Sequence, residues 1–145
     1  MRDLPRQLTA DELAELFEGR TRFVEKLAVV EDPLVHAREV ALELTDEEKK
    51  EILDAHPAIG AKATSERSQR EQGTDDDPAV LAELAKLNAD YEQRFGFRFV
   101  VFVNRRPRRE IVPILEERLQ RTREEELTTA VDELVQIAVN RWRTS

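Results

Sequence analysis

A proton-transferring side chain and a set of short polar groups lie close together in residues 56–73, which read HPAIGAKATSERSQREQG. The histidine, His56, is the residue type whose ordinary pKa allows it to gain or lose a proton near neutral pH. Twelve residues later, the run SQREQ begins at Ser68 and supplies a hydroxyl, a carboxylate and two carboxamides. Such groups can orient an imidazole or hold a polar substrate, so the segment predicts acid–base chemistry on a small molecule.

The polar run also has a structural interpretation. Ser68 and Glu71 have the spacing of a helix capping box, and Gly73 would then end that short helix. A helix confined between Pro57 and the acidic loop at residues 74–77 could contribute little to a core. We therefore expect this element to present its side chains to a pocket.

The element that must position His56 is a helix opened by a capping box at Thr45. His56 follows Ile52 and Leu53 at helical spacing and so shares their apolar face. Pro57 ends the helix, because a residue before proline disfavours the α conformation. The helix C-terminus favours the charged imidazolium, whereas removal from water favours the neutral ring. His56 could exchange a proton under these opposing effects, or it could be a core histidine at a helix end.

Helix signals dominate the remaining chain. The predicted fold class is all-α, a single compact multi-helix domain over residues 1–145, with roughly eight helices and no sheet. The predicted starts are Thr9, Asp32-Pro33, Asp77-Pro78, Pro107 and Thr122; the predicted ends include Gly19 and Gly96, and Val30 is assigned to the second helix. Pro113 is expected to kink or delay the helix after Pro107.

One apolar run, FRFVVFV at residues 97–103, has the pattern of a strand. No other part of the chain is typical of a strand that could pair with it. We therefore expect a buried extended or irregular segment, or one absorbed into a helix. If it is extended, its backbone amides are available to a ligand, because buried backbone groups need hydrogen-bond partners.

Arg141, a basic cluster and His36 are further residues whose types could serve a function. Arg141 follows the apolar stripe of the last helix in phase, which is costly unless it meets an anion, although a terminal arginine can also extend to solvent. The basic cluster at residues 104–109 is interpreted as a solvated helix start. His36, within the third predicted helix, is interpreted as a surface or satisfied core histidine.

Composition limits the classes of function. The chain has 145 residues, 40% of them hydrophobic, and a net charge of −8, which argues against a nucleic-acid partner. It has no cysteine and two histidines, so thiolate chemistry and a histidine-based metal site are not expected. No stretch has the length and apolarity of a membrane span, and the N-terminus has no signal-peptide core. These features predict a soluble, intracellular protein.

Several motifs in order along the chain resemble one family. HPxIG, SxxEQ, LNxxYxxxFGFxFV, an arginine before Glu110-Ile111 and a terminal IAxxRW are similar to the OHCU decarboxylases, which act on 2-oxo-4-hydroxy-4-carboxy-5-ureidoimidazoline (OHCU) between urate and allantoin. The resemblance covers nearly the whole chain. It implies an all-α cytoplasmic homodimer that decarboxylates OHCU to (S)-allantoin without a metal or organic cofactor.

The resemblance also assigns roles to individual residues. His56 matches the family's catalytic histidine and Glu71 its acidic partner. The residues that match substrate contacts or the pocket wall are Pro57, Ser68, Gln72, Phe99, Val101, Val103, Arg106 and Arg141. The ureidoimidazoline is the one small-molecule partner implied, with no nucleic acid and no membrane.

A different class of function is compatible with the same helices. A binding module could keep the fold and hold a small anion or a partner helix in the same groove, without the chemistry. A metal hydrolase is disfavoured by the scarcity of histidine and cysteine. The chirality of the allantoin formed from OHCU separates a decarboxylase from a binding module. Spontaneous decay gives a racemate, so a single enantiomer would indicate the enzyme.

Overall fold

The computed structural model describes residues 2–59 and 77–144, and these contain seven α-helices and no β-strand. In chain order they are α1 (Ala10–Leu16), α2 (Arg22–Leu27), α3 (Pro33–Leu42), α4 (Asp46–Asp54), α5 (Pro78–Phe95), α6 (Arg108–Arg118) and α7 (Arg123–Thr144). The all-α prediction is confirmed. The short helix predicted to carry Ser68 and Glu71 lies outside the described residues.

Local capping chemistry begins the helices where the sequence predicted. Thr9 and Thr45 form reciprocal capping boxes with the glutamates three residues later. Thr122 does the same, since its Oγ1 accepts from the Glu125 backbone at 3.1 Å. Pro33 and Pro78 occupy the first helical position of α3 and α5, where a missing N–H is harmless.

Three predicted boundaries are wrong. Helix α1 ends at Leu16 rather than Gly19, because Glu18 adopts a left-handed backbone conformation (φ 64°) that interrupts the helix. Helix α2 ends at Leu27, and Val30 lies in the turn that follows.

The proline signals before α6 also predicted the wrong start. Pro107 is the residue before the helix, with extended ψ (147°), and the first helical residue is Arg108. Pro113 lies inside α6 and does not delay it. Its missing N–H removes one internal hydrogen bond while the flanking turns remain helical.

The core forms between α7 and the helices of the N-terminal half. Helix α7 contacts α1, α3 and α4, while α5 packs along α6. The predicted apolar stripe of α7 is buried: Leu127, Val131, Leu134 and Ala138. None of the helices in the described ranges is both long and apolar enough to cross a bilayer.

Residues 97–103 form a largely buried segment that lies outside the helices and pairs with no strand among the described residues, which agrees with the predicted extended or irregular alternative. Side chains rather than a neighbouring strand bind its backbone. Arg118 Nη1 donates to the Val100 carbonyl at 2.8 Å, and the Phe102 N–H donates to Glu133 at 3.4 Å. The run therefore keeps a fixed path through the core without a sheet.

A buried ion-pair network fixes the arginine that holds this segment. Glu126, with no exposed surface, accepts from Arg118 Nε at 2.7 Å and from the Tyr91 hydroxyl at 2.6 Å. Arg121 pairs with the other carboxylate oxygen at 3.1 Å. Burial and the bond to Glu126 raise the pKa of Tyr91, so this tyrosine stays protonated. The network links α5, α6 and α7 to the extended segment.

Candidate active site

His56 lies two residues beyond the end of α4, with its side chain on the buried face that carries Ile52 and Leu53. The residue is only 8% exposed. Its Nδ1 is buried and has no hydrogen-bond partner within the described residues. A histidine placed only for stability would normally have that nitrogen satisfied, so the geometry favours a functional role over a core histidine.

Burial decides the protonation of His56. Removal from water lowers the pKa of the imidazole to about 4; the charge of Arg141 lowers it too, with a smaller effect from Arg98, while Glu18 opposes the shift. Of the two opposing effects expected at this helix end, desolvation is therefore the larger. The ring is neutral at pH 7 and can accept a proton.

Arg141 is 2% exposed, so the alternative in which it extends to solvent is wrong. Its Nη1 donates to the Leu16 carbonyl at 2.9 Å, and its Nη2 lies 2.9 Å from Glu18 Oε1. The buried guanidinium of Arg141 thus joins α7 to the C-terminal end of α1. The sequence predicts that a buried Arg141 meets an anion, and Glu18 is one such anion in the structure.

Glu18 has a backbone conformation that few non-glycine residues adopt. Its φ of 64° is left-handed, a conformation that costs a non-glycine residue free energy and persists where the surroundings hold it. The nearly buried carboxylate faces Arg141 at the point where α1 ends. In the sequence, the neighbouring Gly19 predicts a helix stop, and that signal does not identify a role for Glu18.

Two residues missed by sequence reasoning hold the turn around His56. Arg98 donates to the His56 carbonyl at 2.6 Å, and Asn88 Nδ2 donates to the Ile59 carbonyl at 2.9 Å. Asn88 gave a signal, because it is in phase with the buried face of α5. Arg98 is the one charged residue within the apolar run at residues 97–103.

The predicted pocket wall is buried and joined to His56 through Arg98. Phe99, Val101 and Val103 all lie in the core. The half-buried Arg106 donates to its own loop instead, from Nε to the Val103 carbonyl at 2.9 Å and from Nη2 to the Phe102 carbonyl at 2.7 Å. Arg106 therefore fixes the end of the extended segment.

The structure brings together only part of the predicted site. Pro57 is half-buried beside His56. Ser68, Glu71 and Gln72 lie outside the described residues. His36 is a surface residue, with its side chain nearly half exposed and 3.6 Å from Glu39.

Sequence comparison relates this chain to known proteins. The family described as OHCU decarboxylase matches residues 2–143. The 2-oxo-4-hydroxy-4-carboxy-5-ureidoimidazoline decarboxylase of Halalkalicoccus jeotgali is 32% identical over 102 residues, covering 67% of this chain and 58% of that protein. The uric acid degradation bifunctional protein of Bacillus sp. (strain TB-90) is 32% identical over 112 residues, covering 71% of this chain and 22% of that protein. The chain thus spans less than two thirds of the length of either relative.

Solved structures share the fold. A crystal structure of OHCU decarboxylase in the presence of (S)-allantoin superposes with a TM-score of 0.74 at 26% identity, covering 90% of this chain and 94% of that one. A crystal structure of (S)-allantoin synthase gives a TM-score of 0.68 at 23% identity, covering 93% of this chain and 48% of that one, a likeness of fold alone.

Proposed function

The chain belongs to the OHCU decarboxylase family, and on that premise we propose that it converts OHCU to (S)-allantoin in urate degradation. The observation that carries the proposal is the buried His56, whose Nδ1 has no partner within the described residues and whose pKa is lowered to about 4. A neutral imidazole beside a buried arginine suits a reaction that moves one proton on an anionic substrate.

The chemistry of OHCU requires little beyond orientation and that proton transfer. Carbon 4 carries both a hydroxyl and a carboxylate. When carbon dioxide leaves, the electron pair of the broken bond forms a double bond between carbon 4 and the ureido-bearing carbon. The pair of the adjacent ring carbon–nitrogen double bond moves onto its nitrogen, which takes a proton from solvent, and an enol results. Loss of the enol proton and protonation of the carbon that bears the ureido group give the keto product. Protonation from one face gives a single enantiomer.

We assign the proton transfer to His56, which takes the hydroxyl proton and returns a proton to the ureido-bearing carbon. Glu71 would orient the imidazole or polarise the hydroxyl, and Arg141 would meet the substrate carboxylate. The residues assigned to substrate contact or to the pocket wall are Pro57, Ser68, Gln72, the segment of Phe99, Val101 and Val103, and Arg106. For Arg106, the two bonds to carbonyls of its own loop favour an indirect contribution through the wall.

The decisive experiment supplies freshly generated OHCU and follows the optical activity of the allantoin. We expect one enantiomer at a rate above spontaneous decay. A matched His56→Asn variant should return the signal to the racemic background. Racemic allantoin at the uncatalysed rate from the unaltered protein would instead indicate the binding module.

We further propose a cytoplasmic homodimer, as the family resemblance implies. Light scattering on the purified chain measures the subunit number directly. A monomer at micromolar concentration would contradict this part of the proposal and leave the decarboxylase assignment intact.

A further inference from the structure

The turn that carries His56 is bound by a side chain from the segment at residues 97–103. The guanidinium of Arg98 donates from one nitrogen, Nη1, to the His56 carbonyl at 2.6 Å and to the Asp54 carbonyl at 3.2 Å. These residues are 42 and 44 positions apart in the chain. The contact therefore exists only in the folded molecule.

The end of α4 needs donors that its own neighbours cannot supply. The last carbonyls of a helix have no partner within the helix. Pro57 has no N–H, so the residue after His56 cannot donate to them. Arg98 provides the missing donors at Asp54 and His56, and its positive charge also suits the negative end of the helix dipole.

Arg98 is itself held in place. Its backbone N–H donates to Asp54 Oδ1 at 3.1 Å, so it contacts the end of α4 through both main chain and side chain. Its neighbours Phe97 and Phe99 are buried, which fixes the backbone on either side. Glu92 on α5 lies 3.4 Å from Arg98 Nε on the outer side. Arg98 is thus a short rigid connection between the extended segment and His56.

Two other hydrogen bonds hold the segment around His56 independently of Arg98, so loss of Arg98 should have only a local effect. Asn88 Nδ2 donates to the Ile59 carbonyl at 2.9 Å, three residues beyond His56. The His56 N–H also donates to the Leu53 carbonyl at 3.1 Å. Loss of the Arg98 side chain would free the His56 carbonyl while the segment remains attached at both ends.

We propose that Arg98 is a positioning residue for His56, which sets the direction of the imidazole relative to the extended segment at residues 97–103. The proposal rests on the proposed function of His56 as the proton-transferring group. It extends that function, because it makes the orientation of the imidazole depend on a residue outside the family-matched catalytic pair.

Two consequences follow for an Arg98→Gln variant. A displacement of the imidazole by a fraction of an ångström should lower kcat about 10- to 100-fold while KM changes by less than about threefold, because positioning acts on the reactive geometry. Removal of the cation should also raise the pKa of His56. The other charges that act on the ring, Arg141 and Glu18, are unchanged by this substitution.

The test uses the full chain in four forms: unaltered, Arg98→Gln, Arg98→Lys and the control Arg123→Gln. Arg123 also donates to a backbone carbonyl beside the segment, that of Phe95 at 3.1 Å, and contacts the ring of Phe97. Each form is assayed for kcat and KM with OHCU, and the imidazole of His56 is titrated by NMR. The chain has two histidines, so a His36→Gln background assigns the signals.

We expect Arg98→Gln to lose kcat and to show a raised His56 pKa. Arg98→Lys should keep the low pKa but recover only part of kcat, since an ammonium lacks the planar geometry of the guanidinium. Arg123→Gln should match the unaltered protein in both. If Arg98→Gln does not fold, the lysine variant alone decides, and full kcat in it overturns the proposal.

An Arg98→Gln variant with the kcat and His56 pKa of the Arg123→Gln control would also overturn the proposal. Failure of the proposed function is distinguishable from this result. If the unaltered chain does not decarboxylate OHCU, the function is wrong, yet the NMR titration still measures whether Arg98 controls His56. An unchanged His56 pKa in Arg98→Gln would then reject the positioning role as well.

Discussion

At the scale of single residues, burial is the main influence on the chemistry of His56. The imidazole sits at a helix C-terminus, where the dipole favours the charged form. Its near-complete removal from water outweighs that effect and lowers the pKa to about 4. A histidine that is neutral throughout the physiological range functions first as a base.

Replacing His56 tests whether this base is used. We expect His56→Ala and His56→Asn to lower the rate of OHCU decarboxylation by about two to four orders of magnitude, the usual contribution of positioned acid–base catalysis. The asparagine variant keeps a polar side chain at the helix end. A His36→Asn control should retain full activity, because His36 is on the surface. Full activity in both His56 variants would make His56 a core residue.

The pKa of His56 also predicts a pH dependence of stability. The unfolded chain protonates this residue near pH 6.5 and the folded protein near pH 4, so the unfolded state binds the extra proton between those values. The contribution is complete above about pH 6.5, and about 3 kcal/mol of unfolding free energy is lost as pH falls to 4. Denaturant unfolding of the protein and of His56→Asn across this range isolates the effect. If the unfolding free energy of the unaltered protein and of His56→Asn changed equally with pH, the predicted contribution of His56 would be contradicted.

The same titration sets the acid limit of activity. The kcat/KM of OHCU decarboxylation should stay constant from neutral pH to about pH 5 and fall as His56 is protonated near pH 4. A decline already centred near pH 6.5 would indicate a solvated imidazole. The assay needs only initial rates at a series of pH values.

At the scale of elements, the extended segment at residues 97–103 depends on side chains for the bonds that a sheet would supply. Arg118 binds the Val100 carbonyl and is in turn fixed by the buried Glu126. A buried charge of this kind is destabilising when one partner is removed. The segment at residues 97–103 is therefore coupled to the network around Glu126.

Glu126→Gln tests this coupling. Removing the carboxylate leaves Arg118 and Arg121 with a neutral partner, and we expect about 3–5 kcal/mol of destabilisation. Glu124→Gln, an exposed position in the same first turn of α7, is the matched control and should change the unfolding free energy by about 0.5 kcal/mol or less. Chemical denaturation measures both. If Glu126→Gln changed the unfolding free energy no more than Glu124→Gln does, the network would contribute little to the stability of the fold.

At the scale of the whole molecule, Arg141 joins the two ends of the chain. It reaches from α7 to the Leu16 carbonyl, 125 residues earlier, and to Glu18 beside it. The family resemblance matches Arg141 to a substrate contact, and with the substrate as its only anion, loss of Arg141 would barely affect the protein without substrate. Because Glu18 is a fixed partner, the expectation reverses.

Arg141→Met should destabilise the protein without substrate by about 3–5 kcal/mol, because it leaves the carboxylate of Glu18 without this buried cation. The exposed Arg143→Met on the same helix is the control. The double variant with Glu18→Gln should be less destabilised than the sum of the two single changes, since both remove the same pair. Normal stability of Arg141→Met together with a large loss of turnover would assign the arginine to the substrate alone.

The sequence by itself determined the features that depend on neighbours a few residues apart. The capping boxes at Thr9, Thr45 and Thr122 formed because each is completed within four residues. The position of His56 and of Arg141 on apolar helix faces followed from helical periodicity, which places residues three or four apart on one face, whereas the structure decided that Arg141 is buried. The motif resemblance identified the family, and Glu71 stays a prediction because it lies outside the described residues.

Only the tertiary structure decided which groups meet across the chain. Glu18 pairs with Arg141, Arg98 binds the carbonyl of His56, and Glu126 holds Arg118. Each of the first two contacts joins segments that no local pattern relates, so composition and spacing could not select the partner. The same holds for the protonation of His56, because its pKa depends on how much water the assembled core excludes and on which charges it brings near the ring.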